Sequence, residues 1–178
     1  MASRIKLLFI GSFLIMNFGC TKEDFTWNLK KKPCVVTFDN SSVDHFTKIA
    51  IANMINETLG SGPINSYEDK PIILKKGSSY DLSVSFDLSW AIDFVATYAY
   101  FDWNGDGDFL DTNESILLSD NTTIKDVVKT IEVPADAVPG ITYARFILQI
   151  DYYSTPANDP CLQYGDRGEV ENYPLIIE

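Results

Sequence analysis

The chain has 178 residues, of which 46% are hydrophobic and 13% aromatic, and this is long and apolar enough for one domain with a buried core. Its formal net charge of -11 makes nucleic acid a poor partner, because phosphate binding requires a basic surface. The acidity instead favours solubility, cation binding, or both.

The N-terminus has the pattern of a targeting segment. Two basic residues precede an apolar run at 7–18, which is shorter than the roughly 20 residues of a membrane-spanning helix. We therefore expect residues 1–19 to be a signal peptide that is removed. The run ends in Gly19-Cys20, which resembles the lipobox of bacterial lipoproteins, where the signal is cut before the cysteine and its thiol is acylated. The alternative is cleavage elsewhere, or a free thiol at Cys20.

Residues 20–33 are polar, and we expect them to form a tether between the anchor and the folded domain. Residues 21–24 resemble the lysine–acid–acid export signal that directs some gram-negative lipoproteins to the outer face of the outer membrane. This resemblance implies an outer-membrane lipoprotein, exposed at the cell surface and held in the membrane by a lipid on Cys20. The alternative is an ordinary polar linker.

From residue 34 onward the hydrophobic pattern indicates β-strands separated by turn residues. The clearest case is 80–88, where apolar and polar side chains alternate, as is typical of a strand with one buried face. The other predicted strands are 35–38, 46–55, 92–103, 124–133, 143–150 and 170–177. About seven or eight short strands, without a convincing amphipathic helix, predict an all-β fold, an antiparallel β-sandwich of Ig-like or jelly-roll-like type.

The cysteine count points to one disulfide. Of the three cysteines, Cys20 is assigned to the lipid, which leaves Cys34 and Cys161 as an even pair in an oxidising compartment. They lie near the two ends of the folded region and are expected to close it. Two separate free thiols are the alternative.

An acidic loop at 102–108 is the strongest candidate for a metal site. Asp102, Asn104 and Asp106 occupy alternate positions before Gly107, the D-x-[DN]-x-[DN]-G pattern of calcium loops. Calcium takes about six to eight oxygen ligands, so further groups must close the shell. The candidates are Asp108 through its carbonyl, then Asp111, Glu114, Glu169 and Glu171. The alternative is an acidic hairpin turn, since Asn-Gly and Asp-Gly are strong turn dipeptides.

Two glutamates near the C-terminus, Glu169 and Glu171, flank Val170 at the last predicted strand. Because side chains alternate along a strand, the glutamates share one face and Val170 should face the core on the other. Three roles stay open: cation binding, pairing with Arg145 or Arg167, and a catalytic carboxylate pair. A charged residue inside an apolar strand is usually paired when it is buried, so the structural Arg–Glu pair is favoured.

The segment Gly168-Glu169-Val170-Glu171-Asn172 resembles the motif that names the GEVED domain, a β-rich module of secreted and surface-attached bacterial proteins. Similarity to this family continues, in order, at residues 61–69, 80–84, 101–109, 133–135 and 140–146. The resemblance covers 34–178 and implies a GEVED-like β-sandwich whose two terminal cysteines pair. Asn172 stands where the family usually has Asp, which would weaken any cation site there.

The resemblance names no ligand, so function has to be argued from the remaining residues. Tyr152, Tyr153 and Tyr164 lie outside the strongest strands and are candidates for ligand contact. A single histidine, His45, excludes zinc sites built from several histidines. We expect a non-catalytic surface protein that binds an extracellular glycan or protein and holds a structural Ca²⁺. The alternatives are a polysaccharide hydrolase with paired carboxylates and a structural subunit of a surface assembly.

Overall fold

The computed structural model describes residues 33–41, 44–58, 62–88, 94–120, 124–154, 156–162 and 165–178. The predicted signal peptide, Cys20, most of the predicted tether and Tyr164 lie outside these ranges. The described part of the chain has no helix that is long and apolar enough to cross a membrane.

The described residues form strands in two sheets. The strands are β1 (Phe38–Ser41), β2 (His45–Ile51), β3 (Met54–Glu57), β4 (Ile64–Ser66), β5 (Ile72–Leu74), β6 (Ser79–Asp87), β7 (Phe94–Phe101), β8 (Ser115–Ser119), β9 (Asp126–Glu132), β10 (Gly140–Asp151) and β11 (Gly165–Ile177). The smaller sheet has the order β3-β2-β6-β9, and the other seven strands form the larger sheet. The prediction of an all-β sandwich is confirmed.

The described residues contain eleven strands, more than the sequence predicted. The predicted strand 46–55 is two strands, because the chain reverses at Ala52, whose φ of 52° lies in the left-handed region. The short strands β4 and β5 and the half-exposed β8 were not predicted. A strand of three residues is too short to show an alternating pattern, and its existence depends on the partner strand that it pairs with.

The larger sheet is mixed rather than purely antiparallel, in contrast to the prediction. Its centre is β11, which runs antiparallel to β10 along most of its thirteen residues. On its other side β11 pairs in parallel with β1, β4 and β5, which follow one another along it. The C-terminal motif therefore lies in the interior of a sheet, with a strand on each side.

Apolar side chains cover both faces of the larger sheet. The main core lies between the two sheets and includes Phe46, Leu82, Phe146 and Tyr173. A smaller cluster covers the opposite face and consists of Val36, Ala96, Tyr98, Tyr100, Phe109, Tyr143, Ile147 and Val170. Burial on both faces explains why β7, β10 and β11 are almost continuously buried.

The predicted disulfide between Cys34 and Cys161 is confirmed, with the two Cα atoms 5.4 Å apart. It joins the segment before β1 to the loop before β11. The same two segments are also linked by backbone hydrogen bonds from Thr37 N–H to the Leu162 carbonyl, 3.2 Å, and from Gly165 N–H to the Thr37 carbonyl, 2.9 Å.

Candidate functional site

The acidic loop between β7 and β8 is organised by Asp102, whose side chain is buried. One carboxylate oxygen accepts the Gly105 N–H at 2.7 Å, and the other accepts the Gly107 N–H at 3.0 Å and the Thr142 hydroxyl. Both glycines have positive φ, of 73° and 89°, a conformation that non-glycine residues rarely adopt. Asp102 therefore holds the loop in shape and points into the protein.

Glu114 closes the same loop from its other end. It is buried, and its carboxylate accepts the Trp103 N–H at 2.8 Å and the Asp111 N–H at 3.4 Å. Burial raises the pKa of Glu114 to about 7, although these backbone hydrogen bonds oppose the shift. The Trp103 ring packs on Phe101 with the ring centres 4.8 Å apart, so the loop is attached to the main core.

The exposed side of the loop gathers the other predicted ligands. Asp106, Asp108 and Asp111 each bring one carboxylate oxygen to within 4.8 Å of the others. The Asn104 amide donates to Asp106 at 3.1 Å and to Asp111 at 2.7 Å, and so links two members of this group. A cluster made only of oxygen donors suits a hard cation such as Ca²⁺. Asp106, Asp108, Asp111 and Asn104 are called the acidic cluster below.

The glutamates of the C-terminal motif share one face of β11, as predicted, but that face is the main core. Glu169 and Glu171 are both fully buried. Val170 points to the opposite face and belongs to the smaller apolar cluster. The sequence indicated which residues lie together on one face, but not that both faces of this strand are covered.

Hydrogen bonds from both sheets satisfy the two buried carboxylates. Glu169 accepts the backbone N–H of Phe46 in β2 at 2.6 Å and the side-chain amide of Asn65 at 2.7 Å. Glu171 accepts the hydroxyl groups of Tyr67 at 3.5 Å and of Tyr173. It also shares the Thr58 hydroxyl, at 3.4 Å, with the Phe46 carbonyl, which accepts the same hydroxyl at 2.6 Å. The group continues from Tyr173 to Asn56 and on to Lys70. Glu169, Glu171 and these donors are called the buried glutamate network below.

Burial raises the pKa values of the two glutamates in this network. Desolvation raises the pKa of Glu169 to about 8, and the neighbouring charge of Glu171 adds to the shift. Desolvation also raises the pKa of Glu171, whereas the hydrogen bonds from Tyr173 and Thr58 lower it. The network therefore binds protons more tightly than exposed glutamates do.

The buried glutamate network lies away from the acidic cluster. Asp102 hydrogen bonds to the Tyr143 carbonyl, whereas Glu171 lies opposite Phe146, three residues further along β10 and on the next strand. With about 3.3 Å per residue and about 4.8 Å between strands, Glu171 is about 14 Å from the start of the loop, and Glu169 is further. Neither glutamate is placed to close a cation shell in the loop.

The predicted pair between Arg145 and a motif glutamate is wrong. Arg145 lies opposite Asn172 in the register of β10 and β11, and alternate residues of a strand face opposite sides, so it points away from Glu171. Its guanidinium donates to the Asn172 side chain at 2.8 Å and to the carbonyls of Pro160 at 2.5 Å and Cys34 at 2.7 Å. Burial lowers the pKa of Arg145 to about 10.

Arg167, the other predicted partner of the glutamates, pairs with a different acid. Its guanidinium lies 3.6 Å from the buried carboxylate of Asp44, and it also packs over the ring of Tyr152 at 5.1 Å. Both arginines thus contact residues near the N-terminal end of the domain, Arg145 at Cys34 and Arg167 at Asp44. The favoured Arg–Glu pair is therefore wrong for both arginines, since the carboxylate beside Arg167 is that of Asp44 and the partners of Arg145 are an amide and backbone carbonyls.

The two described candidate aromatics lie at the far end of the sandwich from the acidic cluster. Tyr152 is 46% exposed and Tyr153 is 87% exposed, directly after β10 ends at Asp151. The acidic loop contacts β10 near its start, at Thr142, and ten residues of strand span about 30 Å. Tyr152 and Tyr153 therefore do not form a continuous binding surface with the acidic loop.

A known family model matches the part of the chain that carries these sites. The family model of the GEVED domain matches residues 96–176, from β7 to the last residues of β11. Over this segment, just under half of the chain, the protein is similar to the GEVED domain. The matched segment includes the acidic cluster, Arg145 and the C-terminal motif. No curated protein matches the chain.

The GEVED match supports a β module of the surface or secreted kind. The matched GEVED segment does not form its sandwich alone, because β1, β4 and β5 complete the larger sheet and β2, β3 and β6 belong to the smaller one. Sequence reasoning missed Thr58 and Asn56, donors of the buried glutamate network. No local pattern marks them, because they come together only when the two sheets pack.

Proposed function

We propose that this protein is a surface-anchored, non-catalytic binding lipoprotein. A lipid on Cys20 attaches it to the outer membrane, and the folded domain recognises an extracellular glycan or protein. The GEVED domain and the lipobox-like Gly19-Cys20 support this proposal. The observation that carries it is the contrast between two sets of carboxylates, one exposed and clustered, the other buried and hydrogen-bonded.

The exposed set supports a structural calcium ion in the acidic cluster. Asp106, Asp108 and Asp111 converge at the protein surface, and Asp102 and Glu114 stiffen the loop from within. Three carboxylates this close repel one another, and a divalent cation would remove that repulsion. In this proposal the ion fixes the loop for binding and takes no part in a reaction.

The buried set argues against the hydrolase alternative. A glycosidase needs two carboxylates that reach the two sides of a scissile bond in an open site. The conspicuous glutamate pair of this chain is fully buried, and its oxygens accept hydrogen bonds from the protein itself. This supports a structural role for Glu169 and Glu171.

The edge between β8 and β9 bears on the assembly alternative. Edge strands that polymerise are long, flat and free of charge. Here Lys129 of β9 donates to the Leu117 carbonyl of β8 at 2.6 Å and so bridges the gap between the two sheets. A lysine in this position discourages strand addition, which favours a binding protein over a polymerising subunit.

Calcium binding can be tested by thermal unfolding of the purified full chain in detergent, with Ca²⁺ and with excess chelator. Ligand at about 100 times Kd stabilises by about 2.7 kcal/mol, which corresponds to a rise of roughly 5–10 °C in Tm. Asp106→Ala should abolish this rise, because it removes one of the three converging carboxylates. The same samples should be applied to arrays of extracellular polysaccharides and matrix proteins, where calcium should strengthen retention.

The matched control is Asp69→Ala, which removes an exposed acid outside the loop and should keep the calcium response. An unchanged Tm in the wild-type protein would leave the loop as an acidic turn. Array binding that survives the chelator and Asp106→Ala would separate the binding function from the ion.

A further inference from the structure

The Cys34–Cys161 disulfide lies against a buried positive charge. The Arg145 guanidinium approaches the Cys34 sulfur at 3.3 Å and binds the Cys34 carbonyl at 2.7 Å. It also binds the carbonyl of Pro160, the residue before Cys161, at 2.5 Å. A single side chain thus contacts both halves of the disulfide, and the sulfur to which it donates a hydrogen bond is that of Cys34.

Among the described residues, none of the groups that accept a hydrogen bond from Arg145 is a carboxylate. Its acceptors are the Asn172 amide oxygen, two backbone carbonyls and the sulfur. A buried guanidinium in such surroundings favours any anion that forms beside it. The anion that can form here is the thiolate of Cys34.

The opposite charge lies at the other half of the disulfide. The carboxylate of Asp159 accepts the Cys161 N–H at 2.8 Å, so a thiolate at Cys161 would form beside a negative charge. Among the described residues, the other ionisable groups near this site are Tyr100, which faces Arg145, and Tyr143 and the exposed Glu68, which line the same cleft as Cys34. The disulfide is therefore polarised, with the more stable thiolate at Cys34.

We propose that this disulfide is an exchange site for external thiols, in which Cys161 takes up the incoming sulfur and Cys34 leaves as a thiolate held by Arg145. The leaving thiol departs faster when its thiolate is stabilised, and this decides which sulfur is attacked. The surroundings of the two sulfurs are thus a device that directs exchange, beyond the binding function proposed above.

The exchange transfers two electrons from an external dithiol to the disulfide. A thiolate of an external dithiol attacks the Cys161 sulfur, a new S–S bond forms, and the bond to Cys34 breaks with its electron pair on Cys34. The second thiol of the dithiol loses its proton and attacks the mixed disulfide, which releases Cys161 as a thiolate that takes up a proton. The dithiol is oxidised to a disulfide, and the protein gains two electrons.

If access from solvent alone decided the reaction, an incoming thiol would attack the Cys34 sulfur rather than the Cys161 sulfur. Both cysteines are half-buried, but Cys34 lines a cleft of about 230 Å³ together with Ile64, Tyr143 and Val170. If an incoming thiol entered by this cleft and the charges had no effect, the mixed disulfide would form at Cys34. The two explanations therefore predict different products.

The test uses the full chain with Cys20→Ser, so that Cys34 and Cys161 are the only cysteines. The oxidised protein is exposed briefly to excess glutathione at neutral pH, quenched with acid and alkylated, and the peptides are identified by mass spectrometry. We expect glutathione on Cys161 and the alkyl group on Cys34, with roughly tenfold or greater preference, as a hydrogen bond to a charged group implies. Equal labelling, glutathione mainly on Cys34, or no exchange in the folded protein would overturn the proposal.

Variants separate the charge effect from simple stability. Arg145→Gln should slow reduction by dithiothreitol and reduce the preference for Cys161, and Asp159→Asn should also reduce the preference. Arg167→Gln is the matched control, because it removes a guanidinium that pairs with Asp44, and it should leave the preference unchanged. If Arg145→Gln does not fold, the labelling of the parent protein still decides the question.

Discussion

Gly168 starts the C-terminal motif because no other residue fits there. Its φ is 147°, which side chains rarely permit, and a Cβ atom at this position would overlap the carbonyl oxygen of Leu148 on β10. The overlap is with backbone, which cannot turn away as a side chain can. The glycine of the motif is therefore explained by the close approach of β10 and β11, independently of any ligand.

Replacing Gly168 with alanine should destabilise the domain strongly. The strained φ costs about 1–3 kcal/mol and the backbone overlap adds to it, so we expect a loss of more than about 2 kcal/mol in the free energy of unfolding. Urea unfolding measures this. Gly140→Ala is the matched control, since Gly140 has a φ of 149° but no atom within 4 Å of the added Cβ. Equal losses in both variants would mean that φ alone decides.

At the scale of the element, β11 connects the two sheets through its side chains as well as through its backbone. Its glutamates accept hydrogen bonds from β2 and β4, and Tyr173 of the same strand accepts from Asn56 of β3. These contacts place carboxyl groups where water is excluded, so the folded domain prefers them protonated. The consequence is a dependence of stability on pH.

Stability should fall as pH rises from about 4.5 to about 8. The folded pKa of Glu169, about 8, lies above the ordinary value of 4.5, so its contribution is fully present below the ordinary value and is lost as pH rises through the folded one. One proton changes the free energy of unfolding by at most about 1.4 kcal/mol per pH unit.

Glu169→Gln should flatten this slope without removing it, because Glu114 and Glu171 also have raised pKa values. Chemical unfolding at a series of pH values measures the effect. Glu57→Gln, which changes an exposed glutamate of β3, should retain the parent slope. If the free energy of unfolding of Glu169→Gln has the same slope against pH as that of the parent, the Glu169 carboxyl is ionised in the folded domain throughout the range.

At the scale of the whole molecule, the disulfide and Arg145 hold the N-terminal segment on the outer face of the larger sheet. In the sequence, the proposed tether at residues 20–33 leads directly into Cys34. A tether from the membrane would therefore pull on a point fixed by a covalent bond. This arrangement agrees with the proposed anchor, since force on the N-terminus would reach the sheet through Cys34 and not through β1 alone.

The anchor can be tested in a gram-negative host that expresses the full chain. An alkyne analogue of palmitate should label the parent protein, which should fractionate with the outer membrane and be cleaved by protease added to intact cells. Cys20→Ser should lose the label and leave the membrane fraction, because the acylated thiol is absent. Cys161→Ser is the matched control and should keep the label. Label that persists in Cys20→Ser would contradict the proposed anchor.

Local pattern in the sequence was sufficient for much of the fold. The alternation at 80–88 predicted β6, and the apolar runs predicted β7, β9, β10 and β11, because a strand with a covered face repeats every two residues. The spacing of Asp102, Asn104 and Asp106 singled out the loop that gathers the acidic cluster. The count of cysteines, with the compartment, predicted the disulfide.

Three features could be known only from the folded protein: that both faces of β11 are covered, which groups Arg145 binds, and which acids lie close together. These depend on register and on the packing of one sheet against the other, and neither leaves a local signal. Glu169 can be buried because Phe46 and Asn65, distant in sequence, supply its donors. Local sequence patterns were therefore sufficient for the longer strands and the candidate loop, because a covered strand face and a calcium-type spacing are both written in neighbouring residues. Long-range contacts determined the short strands β4 and β5 and the environment, and with it the chemistry, of each charged group.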